Sequence, residues 1–128
     1  MAIVMLGKDL TIKAHKDDDV AWWVDSGANI HVSKDRKWFK TYKPVEDGCV
    51  LHMGNESTAP VEGRGTVELE FTSGKILVLR DVLHVPKIRK NLVSGSVLNK
   101  LGYRQVYDSD RYVLSKSGVF VGFGYYNN

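Results

Sequence analysis

The sequence predicts an all-β domain with one short α-helix in its C-terminal half. Three observations predict it: a hydrophobic period of two from Cys49 onward, turn clusters that punctuate that pattern at short intervals, and a single segment with three- and four-residue apolar spacing.

The first strand is read from Val20-Ala21-Trp22-Trp23-Val24, a dense apolar run closed by Asp25-Ser26-Gly27. A short run of this kind, bounded by turn residues, is a buried strand that delivers its last residues into a loop. Residues 49–53 lead into the turn cluster Gly54-Asn55-Glu56-Ser57, and residues 60–65 lead out of it. Residues 66–71 alternate cleanly, with Val67, Leu69 and Phe71 on one face and Glu68 and Glu70 on the other. Ser73-Gly74 supplies a tight turn, and residues 75–83 return as the antiparallel partner. The helical spacing belongs to Leu92, Val93, Val97, Leu98 and Leu101, with Ser94 or Ser96 as N-cap and Gly102 just past the C-cap. Strands at residues 103–107, 112–114 and 119–121 complete the expectation. The domain is expected over residues 20–122, with residues 1–19 a leader, flexible or an edge strand, and residues 123–128 a tail.

Composition sets the bounds. A chain of 128 residues and 14.4 kDa is one domain's worth of material. Its 43% hydrophobic content supports a small core, and domains of this size are often helped by association. Eighteen Lys and Arg against 15 Asp and Glu leave a formal charge of +3, without the clustered footprint of a nucleic-acid binder. The lone Cys49 excludes an intramolecular disulfide and fits a reducing compartment. Ile3-Val4-Met5-Leu6 is too short for a signal or a membrane span, so a cytoplasmic protein without membrane contact is expected. His15, His31, His52 and His84 are too scattered for a metal site, and neither metal nor cofactor is expected.

Asp-Ser-Gly-Ala at residues 25–28 carries the chemistry. Hydrolysing a peptide without metal or covalent intermediate takes a base to activate water and an acid to protonate the leaving nitrogen. Two carboxylates sharing one proton do both, because like charges about 3 Å apart cannot both ionise. Trp22, Trp23, Val24, Ala28 and Ile30 would supply an apolar ring, and Gly27 would let the backbone approach a substrate or a partner loop. Ser26 would hydrogen-bond across a symmetry axis. The tripeptide alone is weak, arising by chance in about 3% of chains this long. Its bland reading is a capped turn; its place after an apolar strand favours the catalytic one. One such loop is half of a dyad, because Asp108-Ser109-Asp110 lacks the glycine, so the second Asp25 must come from a two-fold homodimer partner.

The segment from Trp22 to about Gly122 resembles the protease domain of Ty1/copia-type retrotransposon polyproteins, related to retroviral aspartic proteases. The residues carrying the resemblance are Trp23-Val24-Asp25-Ser26-Gly27-Ala28, residues 53–57 followed by residues 61–67, Val82-Leu83-His84-Val85-Pro86, and Asn91-Leu92-Val93-Ser94-Gly95. The resemblance implies a retropepsin-like barrel forming a two-fold homodimer that processes its own polyprotein, within a virus-like particle if the element is active. It implies Asp25 as the catalytic acid and base, Ser26 as the dimer-locking hydroxyl, and Gly27 as a backbone contact to substrate. Ala28 and Asn29 would join Gly54, Asn55, Glu56 and Ser57, the tip of a closing flap, as substrate-binding residues. Leu92-Val93-Ser94-Gly95 would pack beneath the active-site loop.

The chain departs from the pattern in one respect. Many retroviral enzymes pair an acidic residue four positions after the catalytic Asp with an Arg after the later glycine; here those positions are Asn29 and Ser96. A dimer that is weaker, or held differently, is expected. The competing reading is a catalytically silent dimerisation or RNA-binding module using Gly63-Arg64-Gly65 and Lys87-Ile88-Arg89-Lys90, which a glycine-adapted strand and a solvated basic loop explain better. His31 reads as a structural or surface histidine rather than a catalytic partner.

Overall fold

The computed structural model describes residues 3–11 and 22–126. Its strands are β1 (Ile3–Met5), β2 (Trp22–Asp25), β3 (Val32–Ser33), β4 (Phe39–Pro44), β5 (Val50–His52), β6 (Thr58–Pro60), β7 (Gly63–Glu70), β8 (Ile76–His84), β9 (Asn91–Ser94), β10 (Tyr103–Asp108), β11 (Arg111–Lys116) and β12 (Val119–Tyr126). One α-helix, α1 (Gly95–Lys100), stands between β9 and β10. Ten strands form one sheet in the order β10-β11-β12-β1-β2-β9-β3-β8-β7-β4, while β5 and β6 pair only with each other. The all-β expectation with one short helix is met.

The alternation in β7 is what builds the core. Val67 and Leu69, with Phe71 beyond the strand, are fully buried against Leu77 and Leu79 of β8. They meet Val4, Trp22, Val24, Tyr112 and Leu114 from the other half of the sheet. A smaller cluster of Val32, Ala59, Val61, Leu83, Val85 and Ile88 lies apart from it, with Ile30, Val45 and Leu51 packed on its margin. That second cluster carries the β5–β6 hairpin.

Helix α1 starts and stops as its caps dictate. Ser94 Oγ accepts from the Val97 N–H, closing the first turn, and Gly102 follows the last turn at φ +92°, a conformation that favours glycine. The helix is shorter than the apolar spacing predicts: Leu92 and Val93 belong to β9, where parallel pairing with Trp23 and Val24 claims their backbone.

Two boundary expectations need correction. Within the predicted leader of residues 1–19, β1 is an interior strand, paired with β2 on one side and β12 on the other. Asp9 then ties the sheet's distant parts together. Its backbone carbonyl and one carboxylate oxygen accept from Thr72, and the other carboxylate oxygen accepts from the Phe123 N–H at 2.8 Å. Leu10 bridges to Phe71 at the end of β7, so the sheet curls on itself. The rest of the leader, from residue 12, lies outside the described residues, as do residues 20 and 21 of the first predicted strand. The predicted tail at residues 123–128 is also strand through Tyr126, because β12 continues as the partner of β11 and β1.

Candidate active site

Asp25 is the last residue of β2 and is held from both sides. Ile3 of β1 stands opposite it in antiparallel register, and Ser94 of β9 in parallel register. The side chain is half-buried, with one carboxylate oxygen accepting from the Gly27 N–H at 2.8 Å. The Ala28 N–H donates back to the Asp25 carbonyl at 3.2 Å, which closes the turn.

A buried set of hydrogen bonds fixes this loop from behind. Ser94 Oγ donates to the Ala28 carbonyl at 2.6 Å while capping α1, and the Ser94 N–H donates to His31 Nδ1 at 2.9 Å. His31 therefore carries its proton on Nε2, and burial lowers its pKa to about 4. Gly95 allows close approach: a Cβ there would stand 3.3 Å from Ser26 Cα. The Gly95 carbonyl accepts from Gln105 Nε2 at 3.0 Å, and Gln105 Oε1 accepts from the Tyr112 hydroxyl at 2.7 Å. Burial pushes the Tyr112 pKa up, with the Tyr107 phenol adding to it, so the hydroxyl keeps the proton it donates.

In front of Asp25 opens a cleft of about 730 Å³. Its apolar lining comes from Ile3, Ala28, Ile30, Val32, Leu51, Met53, Ile88 and Leu92, and its polar lining from Asp25, Asn29, His52, Arg89 and Lys90. The β5–β6 hairpin overhangs it. Val50, Leu51 and His52 pair with Pro60, Ala59 and Thr58, and the Met53 N–H donates to the Ser57 carbonyl at 2.8 Å. At the tip, Asn55 and Glu56 both have positive φ, 63° and 60°, within the three residues that connect Met53 to Ser57. Buried Ala59 and Val61 root the hairpin in the smaller core cluster, while the tip is exposed.

The fold brings some of the sequence-selected residues together and not others. Asp25, Gly27, Ala28, Asn29 and Gly54 line the cleft. Ser26 is exposed beside it, and Asn55, Glu56 and Ser57 lie at the hairpin tip without lining it. The apolar ring is only partly as expected: Ala28 and Ile30 face the cleft, but Trp22 and Val24 are in the main core, Trp22 edge-on to Trp38 at 5.6 Å. A strand alternates its faces, so both residues point away from the face that carries Asp25. Sequence reasoning missed Ile3, Val32, Leu51, His52, Met53, Ile88, Arg89, Lys90 and Leu92 as lining residues. It also missed the chain from Gly95 through Gln105 to Tyr112, for which no local motif gives a signal.

A β-rich domain that sets an aspartate loop under an overhanging hairpin is thus the class defined by fold and cleft. The family model described as "Pol polyprotein, beta-barrel domain" matches residues 22–103, and the chain belongs to that family. It is 35% identical over 103 residues to the retrovirus-related Pol polyprotein from transposon TNT 1-94 of Nicotiana tabacum, covering 80% of this chain and 8% of that polyprotein. It is 37% and 34% identical over 73 residues to those from transposons RE2 and RE1 of Arabidopsis thaliana, covering 57% of this chain and 5% of each relative. The chain therefore spans less than a tenth of the curated relatives it matches. No solved structure matches it.

Proposed function

We propose that this domain is one half of a homodimeric aspartic endopeptidase that cleaves a polypeptide, its own polyprotein first of all. The observation that carries the reading is the placement of Asp25. Its carboxylate stands at a strand end pinned by Ile3 and Ser94 and opens on an apolar-walled cleft beneath a hairpin attached only at its base.

The chemistry follows from two such carboxylates. When a second copy brings its Asp25 within about 3 Å, one proton is shared between them. The ionised member takes a proton from water as that water attacks the peptide carbonyl, and the protonated member hydrogen-bonds the carbonyl oxygen. The dyad then returns a proton to the leaving nitrogen. The hairpin would close over the bound peptide and keep bulk water out. Ser26, exposed next to Asp25, would meet its counterpart across the two-fold axis.

The test is cleavage of a polyprotein-derived peptide from acidic to neutral pH, wild type against Asp25→Asn. A loss of at least about a thousandfold is expected. Equal activity in the variant would sink the proposal, and cleavage by a strict monomer in sedimentation would refute the two-fold dyad.

A further inference from the structure

The cleft's charge is lopsided. Among the described residues Asp25 is the sole carboxylate lining it, whereas His52, Arg89 and Lys90 all do. The two strong cations sit on a loop pinned at both ends. On one side Ile88 is buried and its N–H donates to the Val85 carbonyl at 3.2 Å. On the other, fully buried Asn91 accepts from the Lys34 N–H at 2.8 Å. Lys90 is further held by aromatic contact, its Nζ 4.1 Å from the centroid of the Trp23 ring. Arg89 is exposed and takes part in none of the ion pairs that occupy Lys37, Lys40 and Arg64. A guanidinium on a fixed backbone, facing a cleft that among the described residues holds no acid but Asp25, is a receptor for a planar carboxylate.

We infer that Arg89, reinforced by Lys90, makes this cleft select peptides carrying an acidic side chain within a few residues of the scissile bond. The inference rests on the proteolytic reading above and names its substrate class: an extended segment with an apolar residue against Ile88 and a Glu or Asp beside it. Alternate side chains of an extended peptide point to opposite walls, so apolar and acidic positions are read by different surfaces. A two-fold dimer carries Arg89 on both sides, so acids either before or after the bond are favoured.

The experiment uses peptide pairs that differ only as Glu against Gln at each of the positions flanking the scissile bond. Wild type should prefer the Glu member by about three- to tenfold in kcat/KM, the range for solvent-exposed charge pairs acting together. The preference should reside in KM rather than kcat, because the contact is made equally in ground and transition states. It should shrink at high salt and as pH falls through the Glu range near about 4.3. Arg89→Ala should bring the pair toward parity and Arg89→Glu should favour a Lys-containing peptide, while Lys100→Ala, an exposed charge on α1, should change nothing.

A second arm measures binding of the same peptides to Asp25→Asn by fluorescence anisotropy, where the Glu preference should persist without turnover. If wild type cleaves no peptide, the proteolytic reading fails while this arm still decides the charge selection. Parity of Glu and Gln peptides in both arms would overturn the inference. So would single-stranded RNA binding lost in Arg89→Glu with no discrimination among peptides.

Discussion

Replacing Ser94 with Ala removes a hydroxyl that both caps α1 and holds the Asp25 loop. Ser94 is fully buried, accepts from the Val97 N–H at 3.0 Å and donates to the Ala28 carbonyl at 2.6 Å. Loss of an N-cap costs about 1 kcal/mol, and orphaning a partly buried carbonyl costs about 1–2 kcal/mol more. The sum, about 2–3 kcal/mol, lowers Tm by roughly 6–12 °C for a domain of this size. The assay is thermal and urea unfolding at one fixed protein concentration, with Ser96→Ala alongside. Ser96 is the other serine that sequence spacing offers as a cap, but the cap bond is made by Ser94. Its removal should stay within about 0.5 kcal/mol of wild type. Cleavage by Ser94→Ala should fall further than its folded fraction accounts for, because Ala28 lies three residues from Asp25. A destabilisation below about 0.5 kcal/mol, or equal effects of the two variants, would refute this reasoning.

His31 predicts a pH dependence of stability. It stays neutral in the fold, with its pKa lowered to about 4, but takes up a proton near 6.5 once unfolded. The unfolded chain thus binds more protons inside that window, and stability falls as pH drops from about 6.5 to about 4, by up to about 1.4 kcal/mol per pH unit. Urea unfolding at several pH values should show a shallower decline for His31→Asn, whose amide oxygen still accepts from the Ser94 N–H; equal slopes would contradict the assignment. Gly122→Ala would drive a Cβ into the fully buried Phe71 ring and cost about 2–3 kcal/mol by thermal unfolding. Gly54→Ala meets open space and should leave stability within about 0.5 kcal/mol.

What was legible in the sequence was local. The alternation through Val67, Leu69 and Phe71 identified β7, and Ser94 or Ser96 with Gly102 bracketed α1, because capping and period-two burial are written in neighbouring residues. Strand β4 went unread because its sequence, FKTYKP, is that of an edge strand, with exposed lysines and a proline and only Phe39 buried. Strand β1 is three residues whose partners, β2 and β12, lie far along the chain, so nothing local distinguishes it from a leader. Strand β12 looked finished at Val121 because Gly122 and Gly124 interrupt its apolar run. Those glycines are there because Phe71 and Val4 press against the backbone, a constraint visible only in three dimensions. The site divides the same way: Asp25 and its loop were readable as a motif, while Arg89 and Lys90 reach the cleft only because β9 pairs in parallel with β2.

Asp25 as half of a site is the central claim, and mixing wild-type and Asp25→Asn chains tests it most directly. The chains are unfolded together, refolded at fixed total concentration and assayed for peptide cleavage as the wild-type fraction is varied. If both carboxylates are required, activity follows the square of that fraction, leaving roughly a quarter at an equal mixture. Activity proportional to the wild-type fraction, roughly half at an equal mixture, would show each chain acting alone and contradict the account.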